Sequence, residues 1–499
     1  MDSKKLYRDY TQQLRKIADT RYAAAVLQWD QETYMPPKGA AFRAQQVATL
    51  SEISHELFTR SSFKNLLQDL MACGDLDPEQ QKNVALSWYD YTQQQKLSGE
   101  FVRQLSEATS KSFLAWVSAK NANNFSLFEK DLAGLLELKK QEAALLGFEG
   151  HPYNALLNQY ERGCTVALLD RVFTSLQPPL KALLHKITAA PQVDDGFLKG
   201  FFAKDKQWQF GIALMKQMGF DFEAGRQDIA EHPFTTNFSS QDVRLTTRID
   251  ENDFSNMTWS CIHECGHGLY EQGLPVAAYG LPLGEYTSLS IHESQSRLWE
   301  NNVGRSFHCW QHFFPLAQQY FPEALQAVTL PQFYNGINKV APSFIRTEAD
   351  ELTYHFHVLI RYELEKKLLE GTLQVRDIPA YWNEQYLTLL GVTVPDDKNG
   401  CLQDVHWSHG SFGYFPTYSL GSFYAAQFFA QAEKNIPHLH LHITNGRYKP
   451  LLDWLRMSIH AHGRRFTSEE LCSSICGQPL NIDHFMNYAT NKYQAIYAF

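Results

Sequence analysis

Two histidines in the segment His263-Glu264-Cys265-Gly266-His267 are the strongest chemical signal of the sequence. Residues at i and i+4 of a helix share one face, with Cβ atoms about 5–6 Å apart, so both imidazoles can reach one Zn²⁺ ion. Glu264 lies one step round the helix, where its carboxylate can act as a general base on a water molecule rather than ligate. Two surface or core histidines on an ordinary helix are the alternative. We predict a hydrolytic metal site with His263 and His267 as ligands.

A catalytic zinc ion usually takes three protein ligands and leaves a position open. Residues 287–303 have the pattern of a second helix, and Glu293 lies on it, 26 positions after His267. We predict Glu293 as the third ligand. Glu300 on the same segment is its competitor, and an exposed helix glutamate is the simpler interpretation. His292 is adjacent but should point about a quarter-turn away.

Helical periodicity runs through most of the chain and must position these residues. The clearest stretches are 39–60, 127–147, 165–189 and 355–370. Residues 228–254 differ, because short Thr-, Phe- and Val-containing pieces alternate with turn residues, which indicates a β-hairpin or a three-stranded sheet. We predict one domain over residues 1–499, a large, mainly α-helical body with a small embedded β-sheet and a metal site within 259–304.

The composition is that of an ordinary enzyme. Acidic residues outnumber basic ones by 54 to 45, for a net charge of −9, and no Lys/Arg-rich run is present. We therefore expect no nucleic-acid partner and no anionic-membrane surface. No apolar stretch is long enough to span a bilayer. The polar N-terminus and only eight cysteines indicate a cytoplasmic protein with reduced thiols.

Six ordered blocks of the chain match a known pattern. They are HPF at His232-Pro233-Phe234, D-x-R-x-T at Asp242 to Thr246, HExxH at His263 to His267, HES(Q/G) at His292-Glu293-Ser294-Gln295, I-R-x-x-A-D at Ile345 to Asp350 and G-x-x-Q-D-x-H-W at Gly400 to Trp407. The N-terminal stretch LQWDQETYMPPKGAAFRAQQ is similar as well. In these blocks the sequence resembles the carboxypeptidase Taq family, the M32 metallocarboxypeptidases.

This resemblance implies a helical fold of the HExxH gluzincin type with a deep substrate groove, like that of neurolysin and angiotensin-converting enzyme. It implies a homodimer that releases single C-terminal amino acids from peptides with broad preference. The expected cofactor is one divalent metal ion per chain, zinc or else cobalt. Related zinc peptidases often carry an Asp four residues after the glutamate ligand, where this chain has Arg297. The carboxylate that orients a zinc histidine must therefore come from elsewhere.

A carboxypeptidase must hold a free carboxylate, and the planar fork of an arginine matches its two oxygens. The I-R-x-x-A-D block makes Arg346 the first candidate. An intrahelical pair with Asp350, four positions on, is the simpler interpretation.

Residues 400–421 are rich in Gly and aromatic side chains, as expected for a loop that lines a cleft. By resemblance, Tyr414 is the expected donor to the scissile carbonyl oxygen, and His406 binds the substrate backbone or carboxylate. Tyr418 and His409 are the next candidates for these roles, and simple packing is the alternative for each aromatic residue. His232 is expected to lie in the substrate groove.

Three functions remain open on these residues. Besides a metallocarboxypeptidase, an endo-oligopeptidase would share the metal site but lack a carboxylate anchor. A non-catalytic peptide-binding protein would use the groove without turnover, although the intact Glu264 argues against it. In the resemblance-based mechanism, Glu264 takes a proton from the attacking water, and Tyr414 stabilises the oxyanion.

Overall fold

The computed structural model describes residues 2–499 and is mainly α-helical, as predicted. Along its first half the helices are α1 Ser3–Thr33, α2 Ala40–Thr59, α3 Ser61–Met71, α4 Pro78–Gln95, α5 Gly99–Ala122, α6 Ser126–Leu146, α7 Tyr153–Tyr160, α8 Val166–Ala189, α9 Lys204–Met218 and α10 Phe254–Glu271. The second half contains α11 Leu289–Arg297, α12 Phe307–Tyr320, α13 Pro322–Leu325, α14 Leu330–Ile337, α15 Tyr354–Glu370, α16 Ile378–Leu390, α17 Pro416–Asn435, α18 Leu439–Thr444, α19 Lys449–Ser458, α20 Ser468–Cys476 and α21 Asp483–Tyr497.

The chain forms two compact units, each built from separate segments. The first unit contains the residues up to Gln95 together with Asp194–Ile337 and Phe428–Pro479. The second unit contains Lys96–Val193, Asn338–Gln427 and Leu480–Phe499. The sheet and the HExxH segment belong to the first unit, and the I-R-x-x-A-D and G-x-x-Q-D-x-H-W blocks belong to the second. The single catalytic domain expected over residues 1–499 stays a prediction.

The predicted small sheet has three strands, β1 Gly225–Ile229, β2 Thr235–Ser239 and β3 Asp242–Thr247. Their order is β1-β3-β2, with β3 parallel to β1 and antiparallel to β2. The sheet begins three residues before the predicted range 228–254, and it ends before α10 starts. Because β3 lies between the other two strands, β2 is an edge strand. Helix α10 packs on the sheet through its contacts with β3 and β2.

An aromatic cluster in the first unit holds the start of α10. Phe254, the first residue of the helix, is 1% exposed, and its ring centroid lies 5.6 Å from that of Phe333 and 6.1 Å from that of Trp310. Asp253 caps the helix, because its carboxylate accepts a hydrogen bond from the Ser255 N–H. Burying a phenylalanine side chain stabilises a fold by about 1.5–3 kcal/mol, so this cluster is a firm base for the helix.

Helix α11 lies against α10 at Gly266, within the HExxH segment. A Cβ atom on Gly266 would lie 2.6 Å from the Ser296 Cα and 2.7 Å from the Gln295 carbonyl oxygen. Only a glycine allows the two backbones to approach so closely. The helix then continues in a wider π-helical turn, Leu298–Gly304, where sequence periodicity predicts one regular helix to residue 303. Such π-helical segments are frequent at functional sites.

None of the eight cysteines, which all lie within residues 2–499, forms a disulfide bond, and Cys265 is fully buried on α10 between His263 and His267, where burial raises the pKa of its thiol. No helix in the described chain is both long and apolar enough to cross a membrane.

The close contact at Gly266 predicts the effect of a single methyl group. Gly266→Ala should force α10 and α11 apart at a cost of about 1–3 kcal/mol, because the colliding atoms belong to backbone. Gly134→Ala is the matched control, since Gly134 lies on α6 with open space around it and alanine there should stabilise by about 0.5–1 kcal/mol. Thermal melts should therefore shift in opposite directions. An unchanged or higher melting temperature for Gly266→Ala would contradict the close approach.

Candidate metal centre and active site

The structure brings His263, His267 and Glu293 together. One ligand atom from each residue lies within 4.8 Å of the others. Among residues 2–499, this is the one group of His, Cys, Asp or Glu side chains close enough to hold a metal ion. The two histidines extend from successive turns of α10, and Glu293 extends from α11. The Nε2 atoms of His263 and His267 lie 3.6 and 3.5 Å from one oxygen of Glu293.

These separations fit a divalent metal ion better than direct ion pairing. They are longer than an ordinary N–H···O hydrogen bond, which spans about 2.7–3.2 Å. In a tetrahedral site with bonds of about 2.0–2.1 Å, ligand atoms are about 3.3–3.4 Å apart. Two imidazoles and one carboxylate are also a common donor set for catalytic zinc. The three residues could therefore hold one ion between them.

Glu293 is held in place by Arg297, which stands where related zinc peptidases often carry an aspartate. Arg297 donates from Nε to Glu293 Oε1 at 2.6 Å, and the Ser296 hydroxyl donates to the other oxygen at 3.1 Å. Burial opposes ionisation of Glu293, but Arg297 and His263 outweigh it and hold the pKa of this carboxyl far below its usual value. Arg297 therefore orients the third candidate ligand and keeps it ionised.

Glu300 supplies the orienting carboxylate for His263. Its Oε2 lies 2.9 Å from His263 Nδ1, on the side of the ring away from Glu293. Burial raises the pKa of Glu300, but Arg297 and His263 overcome this and lower it to about 2. Glu293 and Glu300 are seven residues apart, about two helical turns, and so extend from the same side of their segment. The predicted competitor for the third ligand position thus binds the opposite nitrogen of the histidine.

His267 meets a second histidine at its outer nitrogen. Its Nδ1 lies 2.6 Å from His292 Nδ1, and His292 Nε2 lies 2.7 Å from Glu271 Oε1. Burial is the main reason that the pKa of His267 falls to about 3, so this imidazole is neutral at pH 7. Sequence reasoning set His292 aside as a ligand, and it missed this contact with the outer nitrogen, because the contact depends on how α10 and α11 pack.

The buried charges of this cluster do not balance within the protein. Its carboxylates are each 7% exposed or less, and they are Glu264, Glu271, Glu293 and Glu300. Two guanidinium groups, Arg297 and Arg305, pair with them. Burial opposes ionisation of His263, but Glu293 and Glu300 outweigh it and raise the pKa of this imidazole. With the histidines neutral, as metal ligands must be, two negative charges remain, and a divalent cation would neutralise them. Buried charges are costly without partners, so the charge of the cluster also fits a divalent ion.

Glu264 lies on α10 next to His263 and is buried against the small sheet. Its Oε2 accepts a hydrogen bond of 2.5 Å from the Thr235 hydroxyl on β2. Burial raises its pKa, while the neighbouring His263 and the Thr235 hydrogen bond oppose the rise. A carboxylate with a raised pKa accepts a proton more readily, which suits a general base. Thr235 follows directly after the HPF block, and sequence reasoning did not select it.

In the second unit, Arg346 is buried and shares one carboxylate with a second arginine. Its Nη2 lies 2.8 Å from Asp404 Oδ1, and its Nη1 donates to the Tyr354 hydroxyl at 3.2 Å. Arg361 donates from Nε to Asp404 Oδ2 at 2.7 Å. The alternative pairing of Arg346 with Asp350 does not form, because Asp350 accepts hydrogen bonds from the start of α15 instead. Sequence reasoning did not find Arg361 or Asp404.

The aromatic loop brings His406, Tyr414 and Tyr418 together near Arg346. His406 Nε2 lies 3.3 Å from the Tyr418 hydroxyl, and its ring centroid is 5.3 Å from that of Tyr414. The Arg346 guanidinium lies 5.0 Å from the centre of the Tyr418 ring. Burial lowers the pKa of His406 to about 3, so its ring is neutral at pH 7. His409 faces elsewhere and stacks on Phe113.

Glu365 on α15 anchors this loop. Its carboxylate accepts hydrogen bonds from the Trp407 indole and from the Gly413 N–H, both at 2.8 Å. The Tyr153 hydroxyl donates to it as well. These bonds fix the loop at Trp407, next to His406, and at Gly413, next to Tyr414.

The remaining predicted residues lie on the small sheet. His232 is exposed in the turn between β1 and β2. Arg244 of the D-x-R-x-T block pairs with Asp242, with Nε 3.0 Å from Oδ1. Its guanidinium also lies between the rings of Trp29 and Phe238, 4.3 and 4.8 Å from their centres. Arg244 therefore joins α1 to the sheet and has a structural role there.

Helix-borne histidines at i and i+4, an intervening glutamate and a glutamate from a second helix define a class of protein. They are the site of a metallopeptidase in which the glutamate between the histidines serves as the base. The mainly helical fold with a small sheet agrees with this class.

Comparison with known proteins identifies the family. The chain matches the family described as carboxypeptidase Taq (M32) metallopeptidase over residues 9–493. It is 37% identical to carboxypeptidase 1 of Bacillus subtilis (strain 168), over 97% of both chains. It is 38% identical to thermostable carboxypeptidase 1 of Thermus thermophilus, over 98% of this chain and 99% of that one. The crystal structure of the M32 carboxypeptidase from Deinococcus radiodurans R1 aligns with a TM-score of 0.97 and 38% identity, covering 99% of this chain and 100% of that one.

The chain therefore belongs to the carboxypeptidase Taq (M32) metallopeptidase family. It is a metal-dependent carboxypeptidase, as the resemblance of its sequence blocks predicts.

The position of Glu264 predicts a separation of binding from turnover. Glu264→Gln should retain the metal ion and most substrate affinity, because glutamine has nearly the same shape and can still meet Thr235. It cannot take a proton, so kcat should fall about 10²–10⁴-fold. Steady-state kinetics with metal analysis checks this, and Glu223→Gln on the surface is the control. If the variant kept about a third of the wild-type kcat, Glu264 would not be the base.

Proposed function

We propose that this enzyme releases single amino acids from the C-termini of peptides, with broad side-chain preference, and that its ion is zinc, with cobalt as the alternative. The observation that carries the proposal is the cluster of His263, His267 and Glu293, whose donor set and separations suit such an ion. We propose these three residues as the ligands. The whole chain, residues 1–499, then acts as one catalytic domain.

Glu264 is the proposed general base. A bound divalent ion would lower the pKa of a water molecule and polarise the scissile carbonyl. Glu264 accepts the proton of the attacking water and delivers it to the leaving amine. Thr235 holds the carboxylate of Glu264 in place during both transfers. The Tyr414 hydroxyl is proposed to donate to the developing oxyanion, as a tyrosine does in related sites.

Arg346 is the proposed anchor for the terminal carboxylate of the substrate. Asp404 pairs with both Arg346 and Arg361. One carboxylate between two guanidinium groups leaves the three residues with a net charge of one positive unit. A substrate carboxylate would supply the missing negative charge. The Arg346 side chain is already held in one orientation by its hydrogen bonds to Asp404 and Tyr354. Such fixing places its fork before the substrate arrives and reduces the entropy lost on binding.

His406 and Tyr418 are proposed to bind the substrate beside Arg346. The Nδ1 atom of His406 is buried and has no hydrogen-bond partner within residues 2–499. A buried polar atom without a partner costs free energy, which a hydrogen bond from the substrate would recover. His232 is proposed to contact the substrate as well, and its exposure leaves it accessible.

Cellular location and assembly are further parts of the proposal. We propose a cytoplasmic homodimer. The absence of disulfide bonds among the eight cysteines supports the location. The resemblance to a family that is usually dimeric supports the assembly. No cofactor other than the metal ion enters the proposal.

The substrate's terminal carboxylate decides between a carboxypeptidase mode and an endo-oligopeptidase mode. Wild-type enzyme should cleave a free-acid peptide about ten- to hundredfold better in kcat/KM than its C-terminal amide, which corresponds to a charge-assisted pair of about 1.5–3 kcal/mol. Arg346→Ala should lose most activity on the acid and little on the amide. Arg346→Lys should recover only part of the preference, because an ammonium group cannot form the bidentate fork.

Mass spectrometry of the products also shows whether single residues are released. Arg376→Ala is the control, since Arg376 is an exposed arginine of the second unit. Loss of metal or fold would lower both substrates together and leave their ratio unchanged. If Arg346→Ala kept the wild-type ratio of acid to amide, the anchor would lie elsewhere. Equal cleavage of acid and amide by the wild-type enzyme would favour an endo-oligopeptidase.

A further inference from the structure

The two candidate metal histidines are supported differently at their outer nitrogens. His263 Nδ1 meets a carboxylate directly, that of Glu300, at 2.9 Å. His267 Nδ1 meets no carboxylate but the ring of His292, at 2.6 Å. His292 in turn meets Glu271, which is 3% exposed and accepts a second hydrogen bond from the Asn237 amide at 2.5 Å. A chain of four side chains thus runs from His267 to the small sheet.

Only one arrangement of protons satisfies this chain when His267 binds a metal ion. When the Nε2 atom of His267 binds a metal ion it carries no proton, so its Nδ1 carries the proton and donates to His292 Nδ1. His292 Nε2 must then carry a proton and donate to Glu271, which as a carboxylate only accepts. The Asn237 amide donates to the other oxygen of Glu271. Each hydrogen bond therefore fixes the tautomer of the next imidazole.

We propose that His292, Glu271 and Asn237 form a relay that holds His267 in the orientation and tautomer required for metal binding. The inference rests on the proposed role of His267 as a ligand. The members lie on three elements, since Asn237 is on β2, Glu271 is the last residue of α10 and His292 is on α11. His292, Glu271 and Asn237 are positioning residues, because they act on the metal through His267.

The relay also couples two ligands to the placement of one helix. His292 precedes Glu293 directly in the chain, so the same turn of α11 carries the third candidate ligand and the partner of the second. A shift of α11 would disturb both at once. The rings of Tyr286 and Tyr270 pack on His292, with centroids 4.9 and 5.4 Å away, and they restrict its rotation. The relay is consequently held by packing as well as by hydrogen bonds.

The affinity of the protein for Zn²⁺ tests the relay independently of catalytic activity. Full-length protein is stripped of metal, and its Kd for Zn²⁺ is measured by competition with a chromogenic chelator. His292→Phe keeps an aromatic ring for packing but has no hydrogen-bonding nitrogen, so the Kd should rise about 10–100-fold. His292→Gln can accept from His267 and donate to Glu271, and it should recover most of that loss. His308→Phe replaces a half-buried histidine outside the relay and should leave the Kd within about twofold of wild type.

Two further variants cover the case in which His292→Phe does not fold and the case in which His267 is not a ligand. If His292→Phe does not fold, Glu271→Gln replaces it, and it should raise the Kd about tenfold because the final carboxylate is lost. His267→Ala separates the relay from the proposed function. If His267→Ala abolishes binding while His292→Phe, or Glu271→Gln in its place, keeps the wild-type Kd, the relay is wrong and the ligand assignment stands. If His267→Ala itself keeps the wild-type Kd, the ligand assignment fails. The visible absorption of the cobalt-loaded protein should also change in His292→Phe, and an unchanged spectrum with an unchanged Kd would overturn the inference.

Discussion

The metal site depends on an excess of buried carboxylates over guanidinium groups. Its buried carboxylates exceed its guanidinium groups by two, in a region where unpaired charge is costly. A divalent cation between His263, His267 and Glu293 would offset both charges. Arg297 and Arg305 do not remove this requirement, but they hold Glu293 and Glu300 ionised and in place. Metal binding and the stability of the first unit are therefore linked, as binding free energy adds to folding free energy in such sites.

Two backbone features bring the charged groups to one point. The α-helical spacing of His263 and His267 aligns two imidazoles on one face of α10. The contact at Gly266 then allows α11 to approach closely enough for Glu293 to face both rings. The small sheet contributes from the other side, with Thr235 on Glu264 and Asn237 on Glu271. Although short, the sheet thus supports both the proposed base and the relay to His267.

The sequence predicted what depends on local spacing or on matching blocks, and it missed what depends on tertiary packing. The helical fold, the small sheet and the family are confirmed. The predicted ligands lie together because a helix determines the His263–His267 spacing and a short connection returns Glu293 beside them. Glu271 and His292 were not recognised as partners, because their contact requires the crossing of two helices. The pairing of Arg361 with Asp404 was missed for the same reason, since 43 positions separate them in the sequence but hydrogen bonds join them. The π-helical turn at Leu298–Gly304 has no simple sequence signal.

The location of the metal ion tests the account most directly. Crystals of the protein grown with zinc can be measured at the zinc absorption edge, where anomalous scattering locates the ion independently of any assumption about its ligands. We predict one strong peak per chain, about 2.0–2.2 Å from Nε2 of His263, Nε2 of His267 and a carboxylate oxygen of Glu293. A peak bound by Glu300 in place of Glu293, or no peak in this region for protein that is fully active, would contradict it.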